Sequence, residues 1–183
     1  TAVVALGHEF SAVLRAAEAV QPVAGRMQAI ANDLQLKIVI DYAHTPDALA
    51  NALKALRPQT SGALWVVFGC GGDRDIGKRS EMGAQAHCLA DSVVLTSDNP
   101  RSENPQAILS DIRSGIAGNC VVIEDRHEAI EYALASAAVT DTILIAGKGH
   151  EDYQEIDGVR HPFNDAQVVK QWLARHAASS VAP

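Results

Sequence analysis

Leu64-Trp65-Val66-Val67-Phe68-Gly69-Cys70-Gly71-Gly72-Asp73-Arg74-Asp75-Ile76-Gly77-Lys78-Arg79 runs five apolar residues into a glycine cluster, a burst of charge and then helical spacing from near Lys78. That order predicts a buried parallel strand, a tight loop at its carboxyl end and a helix leaving the loop. In open α/β sheets such loops bind ligands. Gly72, Gly77 and Lys78 satisfy most of the phosphate-loop pattern, which asks for Ser or Thr next and here meets Arg79. A phosphate loop converges backbone N–H groups and one lysine on an anion, whereas Asp73 and Asp75 would repel one. Two other readings stand beside it. The glycines could serve only a tight turn, or the loop could present Arg74 to a carboxylate, which a planar guanidinium binds bidentately.

Outward from this stretch the same alternation repeats. Residues 27–32 and Lys37–Asp41 read as strands, followed by a helix over 47–56 opened by Pro46, whose missing N–H costs nothing there. Residues 78–89 continue as a helix, 92–96 as a strand, 105–115 as a helix with Ile108 and Ile112 inward, 120–123 as a strand and 126–137 as a helix. Thr142–Ala146 is the next strand; Tyr153–Ile156 and Val159–Pro162 form a hairpin about Asp157-Gly158. Asp165 is expected to cap a final amphipathic helix reaching His176, with a frayed tail to Pro183. The predicted fold class is therefore α/β, a doubly wound, mostly parallel, Rossmann-like sheet with helices on both faces. Polar clusters follow four strand ends, so all four are expected along one edge of the sheet. Residues 1–21 carry Phe10, Val13, Leu14, Ala17 and Val20 at helical spacing, and a linker runs from Pro22 to Gly25.

Composition narrows the function. The chain has 183 residues, 48% of them apolar, enough for one α/β domain plus an appendage. Aromatics at 4% and a net charge of −7 argue against nucleic acid as a partner. No apolar run approaches the ~18 residues of a membrane span and no signal-peptide pattern occurs, so no membrane partner and a cytoplasmic location are expected. Cys70, Cys88 and Cys120 are read as reduced thiols, with Cys70 in the glycine loop worth testing for reactivity.

Several clusters could carry chemistry. Asp98-Asn99-Pro100-Arg101 is either a turn with solvated neighbours or a recognition element for a zwitterion, Asp98 taking an ammonium and Arg101 a carboxylate. In Gly147-Lys148-Gly149-His150-Glu151 the glycines let a ligand approach the backbone, Glu151 could accept from an ammonium group, and His150 reads as a turn or network histidine. Asp41 and His44 lie past a strand end, where an acidic residue takes ribose hydroxyls. Arg26 is a lone, solvated arginine at the hinge between residues 1–22 and the rest. No His/Cys spacing suits a metal and no Gly-x-Ser-x-Gly elbow occurs.

Taken in order, Gly25-Arg26-Met27, Asp41-Tyr42-Ala43-His44-Thr45-Pro46-Asp47, the Gly69–Arg79 loop, Asp98-Asn99-Pro100-Arg101 and Gly147-Lys148-Gly149-His150-Glu151 resemble the C-terminal part of the Mur ligase family, specifically its meso-diaminopimelate-adding branch. The resemblance covers residues 20–170. It implies that 1–22 correspond to the terminal helix of a central ATPase domain and 23–183 to the Rossmann-like amino-acid-binding domain. It further implies an ATP-dependent amide ligase in peptidoglycan precursor synthesis. There ATP phosphorylates a carboxylate of UDP-MurNAc-L-Ala-D-Glu, and the amine of meso-diaminopimelate attacks the acyl phosphate. On matching positions Arg74, Asp98, Asn99, Pro100, Arg101, Gly147 and Glu151 would bind the diamino acid. Arg26 would reach the ATP phosphates and Asp41 the ribose, with His44 close to the nucleotide. The family's phosphate loop and magnesium ligands do not occur in these residues, so Mg2+ would be held mainly elsewhere and the chain alone would be inactive, as a monomer. A lysine-adding ligase of the same family and a free-standing nucleotide-binding α/β module are the alternatives.

Overall fold

Strand order decides where the loops meet. The computed structural model describes residues 6–7, 9–18 and 23–177. Among them six strands form one sheet: β1 (Gln28–Ala29), β2 (Lys37–Asp41), β3 (Leu64–Phe68), β4 (Ser92–Leu95), β5 (Val121–Val122) and β6 (Thr142–Ala146). The order across the sheet is β1-β2-β6-β3-β4-β5. All neighbours are parallel except β1, which runs antiparallel to β2. The helices are α1 (Phe10–Glu18), α2 (Pro46–Leu56), α3 (Gly77–Leu89), α4 (Pro105–Arg113), α5 (Arg126–Ser136) and α6 (Asp165–Ala177), and α2 to α6 supply the buried side chains that cover the sheet. A separate two-stranded hairpin, β7 (Tyr153–Ile156) with β8 (Val159–Pro162), follows β6.

Side chains of successive strand residues point to opposite faces, and the core divides accordingly. Val66, Phe68 and Leu144 pack with Leu53, Met82 and Ile112 on one face. Val67, Ile143 and Ile145 pack with Ile130, Val169 and Trp172 on the other. Every residue of β6 is buried, as the central strand of a two-sided sheet requires. Each fully buried Leu, Ile or Val stabilises the fold by roughly 1.5–3 kcal/mol, so helices are needed on both faces, as expected from the sequence. The helices begin where small polar side chains take up free N–H groups. Thr45 Oγ1 accepts from Ala48 N at 3.3 Å ahead of Pro46. Asn104 accepts from Gln106 N at 2.8 Å ahead of Pro105, and Asp125 from Glu128 N at 3.0 Å.

Several boundaries differ from expectation, each for a local reason. The strand over 27–32 shrinks to Gln28–Ala29 because Met27 sits in the left-handed region (φ 42°). Beyond it Asn32 ties the chain into a turn through Ile30 O and Leu36 O. The strand over 120–123 keeps only Val121–Val122, the two residues with partners on β4. Asp165 is not a cap. Asn164 accepts from Gln167 N at 3.0 Å in that role, while Asp165 is buried against Arg126. The hairpin turns at Asp157 (φ 50°) and Gly158 (φ 73°), the two positive values a two-residue turn of this twist needs. Within α1, Phe10 and Leu14 are 63% and 48% exposed; Val20, Pro22 and the tail 178–183 lie outside the described residues. No helix among the described residues is long and apolar enough to cross a membrane.

Candidate functional site

The carboxyl ends of β2, β3, β4 and β6 open on one cleft of about 280 Å³, into which Arg74, Asp98, Asn99, Arg101, Gly147 and Glu151 converge. Four loops far apart in sequence meet because their parent strands are adjacent and parallel. Pro100 is not part of the lining. It is buried, and its carbonyl oxygen would lie 1.9 Å from a Cβ at position 72, so only glycine lets the two loops close.

Arg101 sits at φ 54°, a costly backbone for a residue with a Cβ. The hairpin holds it there: Arg101 N donates to Glu155 O at 2.9 Å, and Asp157 N donates to Arg101 O at 2.7 Å. Its guanidinium donates to Gly72 O at 2.7 Å and stands 3.7 Å from the Glu155 carboxylate. Arg101 thereby joins the Gly69 loop, its own loop and the hairpin.

Opposite charges meet deeper in the site. Lys148, fully buried, donates to Asn99 Oδ1 at 3.0 Å, Glu151 Oε2 at 3.1 Å and Asp98 Oδ1 at 3.4 Å. Asn99 Nδ2 donates to the same Glu151 oxygen at 2.9 Å, and Glu155 N donates to Asn99 Oδ1 at 3.0 Å. Gly147 (φ 114°) makes room for Asp98, whose Oδ2 would lie 2.6 Å from a Cβ there. Sequence reasoning placed Asp98, Asn99 and Glu151 but gave Lys148 no role of its own. Its one signal was position, between two glycines directly after an apolar strand.

The phosphate-loop reading of Gly69–Arg79 does not survive. Lys78 Nζ donates to His44 O at 3.0 Å. Arg79, 1% exposed, holds Glu103 at 2.8 Å and Asp111 at 2.9 Å. The loop N–H groups are also engaged: Gly72 N on Asn99 O, Asp73 N on Glu103 Oε1 and Gly77 N on Asp75 Oδ1. Asp73 accepts from Ser102 Oγ at 2.7 Å and from Ser102 N at 3.3 Å, and these two donors hold its carboxyl below the usual range. The loop is thus a folded wall held by its own partners. Arg74 is exposed on its outer side, with one side-chain bond to Asp73 O at 3.0 Å.

Cys70 turns inward from the same loop, its Sγ 3.5 Å from Met82 Sδ, and burial pushes its thiol up to about 12. Because the thiolate is the reacting form, iodoacetamide at mildly alkaline pH is expected to label the exposed Cys88 and spare Cys70 in the folded chain. Peptide mass mapping reads the outcome. Equal labelling of both in the native protein would contradict the buried placement.

Of the residues assigned to the nucleotide, His44 lines the same cleft, while Arg26 and Asp41 do not. Asp41 already accepts from Met27 N at 2.7 Å and Ala43 N at 2.9 Å, so it shapes the backbone of both. His44 Nδ1 donates to Tyr42 O at 2.8 Å and leaves its outer nitrogen exposed. Arg26 is exposed, its guanidinium carbon 5.1 Å from the centre of the Tyr42 ring, which also meets His44 edge-on at 4.6 Å. Among the described residues no group of three His, Cys, Asp or Glu side chains could hold a metal ion.

Comparison with known proteins bears on the family and the fold. The chain is 51% identical over 175 residues to the UDP-N-acetylmuramoyl-L-alanyl-D-glutamate--2,6-diaminopimelate ligase of Pseudomonas aeruginosa, covering 94% of this chain and 36% of that protein. To the enzyme of the same name from Acidovorax sp. it is 53% identical over 176 residues, 93% of this chain and 35% of the other. A solved structure of a ligase of that name aligns with a TM-score of 0.81 at 45% identity, over 96% of this chain and 37% of that one. The chain therefore spans about a third of the length of these relatives. The family model described as Mur ligase, glutamate ligase domain, matches residues 25–149. With most of its length matched, and with the parallel sheet and the strand-end cleft in place, this chain belongs to the Mur ligase family.

Proposed function

We propose that the chain is the amino-acid-binding part of a cytoplasmic, ATP-dependent amide ligase that joins meso-diaminopimelate to UDP-MurNAc-L-Ala-D-Glu. One observation carries the reading: the carboxylates of Asp98 and Glu151 and the guanidinium groups of Arg74 and Arg101 line a single cleft. A diamino diacid carries an ammonium and a carboxylate at each end, and such a cleft can pair both kinds. Asp98 and Glu151 take an ammonium group, Arg101 takes a carboxylate from the inner wall, and Arg74 takes one from the rim. The names of the similar proteins support this choice of amino acid.

ATP supplies the activation of the acceptor carboxylate as an acyl phosphate, which the amine then displaces with loss of phosphate. The residues present fit one side of a nucleotide: an exposed guanidinium on Arg26 for phosphate, and the Tyr42 and His44 rings beside it. They do not fit Mg2+, since no donor set for it occurs among the described residues, and no step here is assigned to the metal. What this chain contributes is the position of the amine: held in the cleft, it meets the activated carbonyl in one orientation, which lowers the entropic part of the barrier.

The test is phosphate release by the full-length enzyme with diaminopimelate and lysine supplied side by side. Release should depend on diaminopimelate, with lysine poorly used because it has one carboxylate for the two guanidinium groups of the cleft. Equal or faster release with lysine would overturn the assignment.

A further inference from the structure

We infer that Lys148 is a positioning residue of the amino-acid site: it locks Asp98, Asn99 and Glu151 into one arrangement and leaves the cluster one positive charge short of neutral. This rests on the function proposed above and names a residue that reading does not include.

The geometry carries the inference. An ammonium group has three N–H donors, and Lys148 has three acceptors, on Asn99, Glu151 and Asp98. With its side chain 0% exposed and its donors engaged, Lys148 has neither surface nor a free donor for a ligand of its own. It also lies behind the residues that line the cleft. Its backbone lies two residues past the end of β6, an interior strand of the sheet. On the far side its ammonium lies 5.7 Å from the centre of the Tyr153 ring, which ties the hairpin to the same point.

The consequences for a ligand follow from which atoms the network uses. It engages Asp98 Oδ1 and Glu151 Oε2, leaving Asp98 Oδ2 and Glu151 Oε1 outside it. Asn99 cannot flip, because its oxygen accepts from both Lys148 and Glu155 N while its nitrogen donates to Glu151. Two carboxylates around one ammonium sum to a charge of −1, which an incoming ammonium completes. Without Lys148 the two carboxylates would repel each other, and the ligand's ammonium would have to assemble the site as well as bind it.

The experiment compares K148M and K148Q with wild type in the full-length enzyme. Expected is a rise of about 10–100-fold in the KM for diaminopimelate, with the KM for ATP at its wild-type value; the melting temperature falls in both variants, because a buried partner of two carboxylates is removed. K148Q keeps two N–H donors without the charge and so reports even if K148M folds poorly. A wild-type KM for diaminopimelate in either folded variant overturns the positioning role. So does an equal rise in the KM for ATP, since a purely structural lysine would not single out the amino acid. A wild-type enzyme with no diaminopimelate-dependent turnover would overturn the proposed function as well. Turnover in wild type with an unchanged variant overturns this inference alone.

Discussion

Replacing Arg126 with Met, or Asp165 with Asn, is expected to lower the free energy of unfolding by about 3–5 kcal/mol, because each change leaves the other member without its partner in the interior. The pair is bidentate, Nε to Oδ1 at 2.8 Å and Nη2 to Oδ2 at 2.9 Å, and both side chains are 0% exposed. Arg126 Nη2 also donates to Ala146 O at 3.0 Å, so the pair fastens α5 and α6 to the end of β6 next to Gly147. Nη1 has no hydrogen-bond partner among the described residues, which adds to the desolvation cost already carried by the arginine. Burial works against the charge on Arg126, yet the Asp165 carboxylate more than offsets it and holds the guanidinium above its ordinary value. The double replacement R126M/D165L removes both charges and should be milder than either single change. Urea unfolding followed by circular dichroism measures all three. Single variants within about 1 kcal/mol of wild type, the range of an ordinary substitution, would refute the account.

Arg101 should produce the largest effect on substrate. In the full-length enzyme R101A is expected to raise the KM for diaminopimelate by the equivalent of about 2–5 kcal/mol, the cost of truncating one partner of an enclosed charge pair. The fold should tolerate the change: Ala inherits the same left-handed backbone, and the bonds to Glu155 O and from Asp157 N are made by main-chain atoms. R74A should cost less, since Arg74 is exposed where the Arg101 side chain is 20% exposed, and solvent screens a pair at the rim. Unchanged kinetics in R101A, or a larger loss in R74A, would reverse the two assignments.

Sequence logic reached the sheet through composition. The stretches 38–40, 64–68 and 143–146 are apolar throughout because each strand is covered on both faces, and that pattern survives without knowledge of any partner. Edges were less legible. Whether residues 27–32 pair over their whole length depends on the backbone at Met27 and on the Asn32 turn, and neither alters apolar periodicity. Capping at α6 went to Asn164 because Asp165 had a stronger claim on it in the interior, which is a fact about Arg126, 39 residues away in the chain.

By itself the sequence determined the α/β class, the four strand-end motifs that meet in one cleft, and the family to which they belong. All of these are written in local order and spacing. Tertiary structure alone decided what the charges do. Arg79 stands where a phosphate loop would place Ser or Thr, and becomes an internal strut between Glu103 and Asp111. Cys70 turns inward, where burial raises its thiol, and Lys148 disappears behind the site to organise it. The reason is physical: a charge acts through its neighbours within a few ångströms and through the water it loses, and neither is visible until strands far apart in the chain lie side by side.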